Sequence, residues 1–217
     1  MRLRDVLTYI RANGLIRPGE RVLAACSGGP DSVALVHLLA RLAPAFPFQL
    51  EVLHINHHRG PAGDEAEALC RETAARLTLP FHRREIASAP PRANREEWMR
   101  RRRLTIFAEF RQSGFDRIAL GHQRDDQVET FWLRLLRGAG CTGLGGMAPA
   151  TADGRIRPLL ATSRLAILAY LRAHGLAWHE DATNRDGRHR RNRLRHQVLP
   201  VLAESGFTDA AVVVART

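Results

Sequence analysis

The chain alternates. Short apolar runs of strand length give way repeatedly to longer segments whose apolar residues fall at helical spacing, and this rhythm restricts the fold more than any single motif. Arg21–Cys26 reads as a buried strand and Ser32–Leu42 as a helix. Phe48–Asn56 is a second strand, followed by a helix over Asp64–Leu77 with Ala66, Leu69, Cys70, Thr73, Ala74 and Leu77 inward. Phe81–Ile86 is a third strand, Arg95–Gln112 a long basic helix, and Asp116–His122 a fourth strand. Asp125–Arg137 is the next helix, with Val128, Phe131, Trp132 and Leu135 as its apolar side. Before all of these, Leu3, Val6, Leu7 and Ile10 share one face of an N-terminal helix. This order predicts an α/β fold, a mostly parallel sheet with helices on both faces. Ligands bind such sheets beyond the carboxyl ends of the strands, which is where the motifs below fall.

After Gly138 the texture changes. "GAGCTGLGGMAP" is a glycine-rich loop, Arg155–Leu160 a short strand or edge, and Ser163–His174 a helix with a Ser N-cap and Gly175 behind it. His179–Leu202 is a basic turn followed by a helix. The expected division is a nucleotide-binding unit over 1–160 and a basic, helical C-terminal segment over 161–217.

Composition narrows the chemistry. The 33 basic residues are all Arg, against 22 acidic ones, for a net charge of +11. Without Lys there can be no Schiff-base lysine, lysine nucleophile or Walker-type phosphate lysine. Guanidinium groups bind phosphate bidentately, so this surface suits a nucleotide or nucleic acid. The three cysteines, Cys26, Cys70 and Cys141, form no CxxC pair, which leaves zinc ribbons and iron–sulfur sites without support. Sparse, odd cysteines fit a reducing cytoplasm. No apolar window is long enough to span a bilayer, so no membrane partner is expected.

"SGGPDS" (Ser27–Ser32) interrupts the first strand–helix pair. Its amides can cradle an anion, and the helix that follows points its positive end at the same place. Asp31 beside an anion is repulsive unless a divalent metal bridges the two; otherwise it serves only as a helix cap. "GHQRDDQVET" (Gly121–Thr130) follows the fourth strand. Asp126 and Glu129 share a helix face, and acids at a helix start also suit its dipole. If the mouths of both strands adjoin, Asp31 and Asp126 make a metal seat, with Asp125 as a helper.

"SGGPDS" resembles the signature of the PP-loop ATP pyrophosphatases, and the rest of the chain resembles one branch of them, the tRNA(Ile)-lysidine synthetases. The likeness runs in order from about Arg21 to Leu202, through "HINHHRG", "NREEWMRRRRL", "GHQRDDQVETFWLRLLRGAGCTGLGGM", "RPLL" and "EDATNRDGRHRRNRLRHQVLPVL". Asn94, Glu96, Arg100, Arg103, Asp181, Asn184, Arg191, Asn192, Arg193 and Arg195 match the pattern. "HINHHRG" is one residue short, and Leu104 replaces a Tyr.

The resemblance implies an adenine nucleotide alpha hydrolase-like fold and a ligase using ATP and Mg²⁺. It would adenylate the C2 oxygen of the wobble cytidine in an isoleucine tRNA with a CAU anticodon. L-lysine would then displace AMP to give lysidine. Ser27, Gly28, Gly29, Pro30, Asp31 and Ser32 would hold the phosphates, and Asp31, Asp126 and Asp125 the metal. His54, Asn56 and His122 would line the nucleotide site, although His54 also suits the core and His122 a strand end. Arg100 and Arg103 would meet the reacting base or the RNA, with Arg191, Arg193 and Arg195 further along it; a solvated face is the plainer role for each. The family continues beyond Leu202 with helical domains, so 161–217 is expected to be the start of a truncated tRNA-binding region. A homodimer is an allowed assembly. Two other readings are a non-catalytic RNA- or nucleotide-binding fragment, and a PP-loop tRNA thiolase, for which the cysteine spacing is unsuitable.

Overall fold

The computed structural model describes residues 1–57, 60–86, 90, 94–140, 144–180 and 190–206. Within them, α1 (Leu3–Ala12) precedes β1 (Arg21–Ala25), α2 (Pro30–Leu42), β2 (Gln49–Asn56), α3 (Pro61–Arg76), β3 (Phe81–Glu85), α4 (Arg95–Gln112), β4 (Arg117–Ala119) and α5 (Arg124–Leu135). Then come β5 (Arg155–Ile156), α6 (Arg164–Ala173), α7 (Arg190–Arg193), a π-helical turn (Leu194–Val198) and α8 (Leu199–Glu204). No helix among the described residues is long and apolar enough to cross a membrane.

The five strands lie in the order β3-β2-β1-β4-β5. Every pairing is parallel; Val22 stands between Leu50 of β2 and Arg117 of β4. The chain runs outward from β1 to β3, then returns to place β4 on the other side of β1. That reversal opens a crevice between the ends of β1 and β4, the place where ligands enter an open α/β sheet.

Side chains alternate across the sheet and split the core in two. Val22, Ala24, Leu50 and Val52 meet α1, α2, α3 and α6 through residues such as Ile10, Leu38, Leu39, Cys70, Ile167 and Leu171. On the opposite face, Leu23, Leu53 and Ile118 meet Ile106, Phe107 and Phe110 of α4 with Phe115. Only the C-terminal half of α4 is buried. In its N-terminal half Arg100–Arg103 are exposed, and Met99 packs only partly buried against the core.

The structure departs from the sequence expectation at α5. Its buried residues are Asp126, Gln127 and Glu129, while Leu135 and Leu136 are exposed. Val128, Phe131 and Trp132 on its apolar side are only half-buried, because the polar side finds distant partners, described below. The fourth strand is also shorter than the predicted Asp116–His122.

Candidate active site at the ends of β1 and β4

β1 ends at Ala25 because the chain must turn into α2, and Gly28 makes that turn with φ +83°. A side chain there would also crowd Ala66 of α3, whose atoms lie 3.2–3.3 Å from the position of a Cβ. Pro30 then starts α2 at a position that needs no donor. Ser32 knots the loop. Its Oγ accepts from Ser27 N at 3.1 Å, donates to Gly29 O at 2.9 Å and lies 3.2 Å from Ser27 Oγ. Gly29 N donates to Ser27 Oγ at 3.4 Å, and the Gly28 amide is directed at the Cys26 sulfur. From outside, His179 N donates to Gly28 O at 2.9 Å.

The second motif abuts the first. A Cβ on Gly121 would lie 3.1 Å from both Asp31 C and Ser32 N, so the backbone after β4 runs directly against the start of α2. Gln123 caps α5, its Oε1 accepting from Asp125 N at 2.8 Å, while Gln123 N donates to Asp126 Oδ2 at 2.9 Å. Gln127 pairs through its side-chain amide with both backbone groups of Met147, at 2.8 and 2.5 Å, and so fixes the end of the glycine-rich loop to α5.

Asp31 stands at the centre. Arg164, the first residue of α6, donates from Nη1 to Asp31 Oδ2 at 3.2 Å. Asp31 Oδ1 is buried without a hydrogen-bond partner. Burial pushes this carboxyl up to about 6; Arg164 and Arg195 counter the rise, while Asp126 and Asp125 add to it. Burial also raises Asp125, against a bond from the Arg164 backbone amide. The carboxylates of both motifs therefore share one electrostatic neighbourhood.

Asp126 and Glu129 are held by the C-terminal segment. Arg191 donates to Asp126 Oδ1 at 2.6 Å and to Glu129 Oε2 at 2.5 Å, and Arg195 to Glu129 Oε1 at 2.5 Å. With Gln123 N on its other oxygen, Asp126 has both oxygens engaged. Of the arginines singled out in the sequence, Arg191 and Arg195 thus brace the site, while Arg193 is exposed. Arg100 is exposed on α4, 3.6 Å from Glu97. Arg103 is exposed on the same helix, and its charge reaches His122. Burial first, then Arg157, Arg191, Arg103 and Arg155, depress His122 to about 4, and its Nδ1 is buried without a partner. His54 is a core residue whose Nδ1 donates to Cys26 O at 2.9 Å; Asn56 Nδ2 donates to Glu67 Oε2 at 2.9 Å. Asp181, Asn184 and Cys141 lie outside the described residues.

Among the described residues, no three His, Cys, Asp or Glu side chains converge as a ready metal cage. The arrangement fits a cation in a narrower way. Asp31 Oδ1 is an orphaned acceptor at a loop suited to phosphate, and Mg²⁺ typically takes one or two carboxylates together with substrate phosphates.

Sequence reasoning missed Arg164, Glu129 as an anchor, and the closeness of Gly121 to Asp31. Arg164 did leave a signal. A cation in the first turn of a helix opposes the dipole, and such a misplaced charge usually has a partner elsewhere.

A family model described as a PP-loop domain matches residues 4–202. Among curated proteins, the chain is 45% identical over 218 residues to a tRNA(Ile)-lysidine synthase of Symbiobacterium thermophilum, covering 97% of this chain and 45% of that protein. It is 46% identical to the one of Solibacter usitatus, covering 85% of this chain and 41% of that protein. It is 41% identical to the one of Geobacter sulfurreducens, covering 99% and 47%. The chain therefore spans less than half the length of these relatives. In structure it is similar to a U34-tRNA thiolase from Methanococcus maripaludis, at a TM-score of 0.78 and 14% identity over 99% of this chain and 77% of that one. A glutamine-dependent NAD⁺ synthetase from Acinetobacter baumannii reaches a TM-score of 0.52 at 14% identity, over 79% of this chain and 31% of that one. At these identities the likeness is one of fold.

Proposed function

The chain belongs to the PP-loop family, and on that premise we propose that it carries the ATP-using chemistry of a tRNA(Ile)-lysidine synthetase. The single observation behind the reading is Asp31: a half-buried carboxylate whose Oδ1 is buried and unpartnered, at the start of α2, where the ends of β1 and β4 meet. The substrates in this reading are ATP, L-lysine and the isoleucine tRNA with a CAU anticodon; the relatives' names carry the tRNA(Ile) and the lysidine product.

The loop from Ser27 to Ser32 would hold the phosphates. The start of α2 favours the negative charge that grows on pyrophosphate as it leaves. Asp31 would hold Mg²⁺ through Oδ1, with Asp125 and Asp126 close enough to add to its field. Such an ion, when bound, neutralises phosphate charge. His122, kept neutral by burial and by surrounding arginines, adds no positive charge of its own at neutral pH and can accept a hydrogen bond. The C2 oxygen of cytidine is a poor leaving group until it is adenylated, after which the lysine amine can displace AMP. Arg100, Arg103 and Arg193, exposed on α4 and α7, supply cationic surface for the RNA.

Both described cysteines are buried, so neither of these two offers an accessible sulfur relay, which favours the ligase over the thiolase. The deciding experiment incubates the protein with labelled lysine, ATP, Mg²⁺ and isoleucine tRNA bearing CAU. Label in the RNA supports the ligase. Pyrophosphate release without label restricts the chain to adenylation, and RNA binding with neither product leaves a binding fragment.

A further inference from the structure

Directly beneath the anion-binding loop lie two thiols that the proposed reaction does not use. Cys26 is the residue before Ser27, and Cys70 faces it from α3; their sulfurs are 3.3 Å apart and both residues are buried. Cys70 Sγ also lies 3.4 Å from Cys26 O, the carbonyl that accepts from His54 Nδ1. We propose that Cys26 and Cys70 are a modification site, oxidised by a small hydroperoxide to a reversible disulfide that closes the nucleotide loop.

The geometry requires little motion to form the bond and transmits that motion to the loop. A disulfide needs the sulfurs about 1.2 Å closer than they are. Ala66 lies one turn before Cys70 on the same face of α3, already at tight contact distance from any Cβ on Gly28. Drawing Cys70 toward the end of β1 presses Ala66 onto the left-handed turn at Gly28. Oxidation also removes the negative charge that the Gly28 amide favours on the Cys26 sulfur. The Cys26 sulfur stands 3.9 Å from Ser32 Oγ, the hydroxyl that knots the loop. Helix contact, amide and hydroxyl are therefore disturbed together.

The two sulfurs have different roles. The Cys70 thiol donates to Cys26, and with help from the Gly28 amide and Ser32 this lowers the Cys26 thiol despite its burial. The Cys70 thiol is raised by the same bond and by burial. Cys26 is thus the attacking thiolate. It attacks one oxygen of the peroxide, the O–O bond breaks, and hydroxide leaves to become water with the proton that Cys26 lost. The Cys26 sulfenic acid is then attacked by the Cys70 sulfur, which releases its proton. The S–O bond breaks, and hydroxide takes that proton as a second water. Two thiols are oxidised by two electrons and one peroxide is reduced. A thiol reductant reverses the change.

The test is peptide mapping after hydrogen peroxide treatment, paired with ATP affinity. The ATP readout rests on the proposed function; the map does not. A linked pair of tryptic peptides, Val22–Arg41 and Gly60–Arg71, should appear, lighter by two hydrogens than the two reduced peptides together. ATP should bind at least tenfold more weakly, recover with dithiothreitol, and be unaffected by peroxide in Cys26→Ala, which lacks the attacking sulfur. Cys70→Ala, in which Cys26 can go no further than its sulfenic acid, should give no linked peptides and serves as the second variant should Cys26→Ala fold poorly. Absence of the linked peptides at peroxide doses that oxidise Cys141 overturns the proposal. A disulfide with unchanged ATP affinity overturns its effect on the loop. Reduced protein that binds no ATP overturns the nucleotide reading instead, and the map alone then decides whether the disulfide exists.

Discussion

Arg164 donates to Asp31 across 3.2 Å, joining residues 133 positions apart in the chain. The bond brings the starts of α2 and α6 together. Each helix carries positive charge at that end, and Arg164 adds another, so the Asp31 carboxylate is what makes their approach tolerable. Removing Arg164 should expose that dependence. Arg164→Met leaves a half-buried carboxylate without its guanidinium partner, and unfolding free energy should fall by about 1–2 kcal/mol. Mg²⁺ should restore most of the loss by supplying the missing charge. Denaturant titrations of wild type and variant, each with and without Mg²⁺, measure this; equal losses in both conditions would put the cation elsewhere.

Asp31→Asn is the converse change. It keeps the shape of the side chain and discards its charge, so circular dichroism should be unaltered. Pyrophosphate release should fall at least ~10²-fold, the scale of losing one preorganised electrostatic contact at a reacting phosphate. A variant that keeps its activity leaves Asp31 with only its place in the first turn of α2.

Local reading of the sequence succeeded where the cause of an element is local. The α4 bounds, Arg95–Gln112, coincide with its pattern, and Ser163 caps α6, its Oγ accepting from Ala166 N at 3.2 Å. Asp31 and Asp126 could be placed at neighbouring strand ends because alternation implies a parallel sheet. The buried side of α5 was not legible. Its polar residues find Arg191 and Arg195 more than 60 positions later, and only their meeting makes burial of Asp126 and Glu129 tolerable. The π-helical turn was missed as well. Pro200 has no amide for the carbonyl four residues back, His196, and crowds it; the helix accommodates this by widening over Leu194–Val198. β4 ends early because Gly121 meets Asp31 and Ser32, a contact between distant segments.

The side chain of Glu129 is 1% exposed, and two guanidiniums bind it. Glu129→Ala leaves Arg191 and Arg195 without that anchor. The cost should be about 3 kcal/mol, the low end for breaking a buried ion pair, because both arginines retain contact with water. The effect should be directional. α7 and the turn after it should loosen from α5 before the sheet unfolds, and trypsin should cut at Arg190–Arg195 well before the rest of the chain. Uniform proteolysis of wild type and variant would show that apolar contacts such as Leu194 hold the segment alone.

His122 gives a pH dependence of defined sign. Burial, followed by four arginines, holds its folded value near 4, below the ordinary 6.5. The unfolded chain therefore takes up the proton first on acidification. The contribution is complete above pH 6.5 and is lost as pH falls toward 4. With 1.36 kcal/mol per unit, the full loss is up to about 3 kcal/mol. His122→Asn should have a flatter stability profile between pH 7 and 4.5 than wild type. Parallel profiles would mean that the folded imidazole titrates normally.

The arginines predicted to meet RNA fall into two groups, and salt should separate them. Arg103 and Arg193 are exposed, on α4 and α7. If they neutralise phosphates, each releases a counterion on binding, and truncating either lowers the slope of log affinity against log salt by about one. Arg191 and Arg195 already face Asp126 and Glu129, so part of their charge is spent within the protein. Arg195→Ala should weaken RNA binding through loss of the brace, leaving the slope close to that of wild type. Filter binding of isoleucine tRNA over a range of salt concentrations distinguishes the two effects. A slope that falls for Arg195→Ala and stays fixed for Arg103→Ala and Arg193→Ala would reverse the assignment, placing the RNA over the mouth of α5 rather than along α4 and α7.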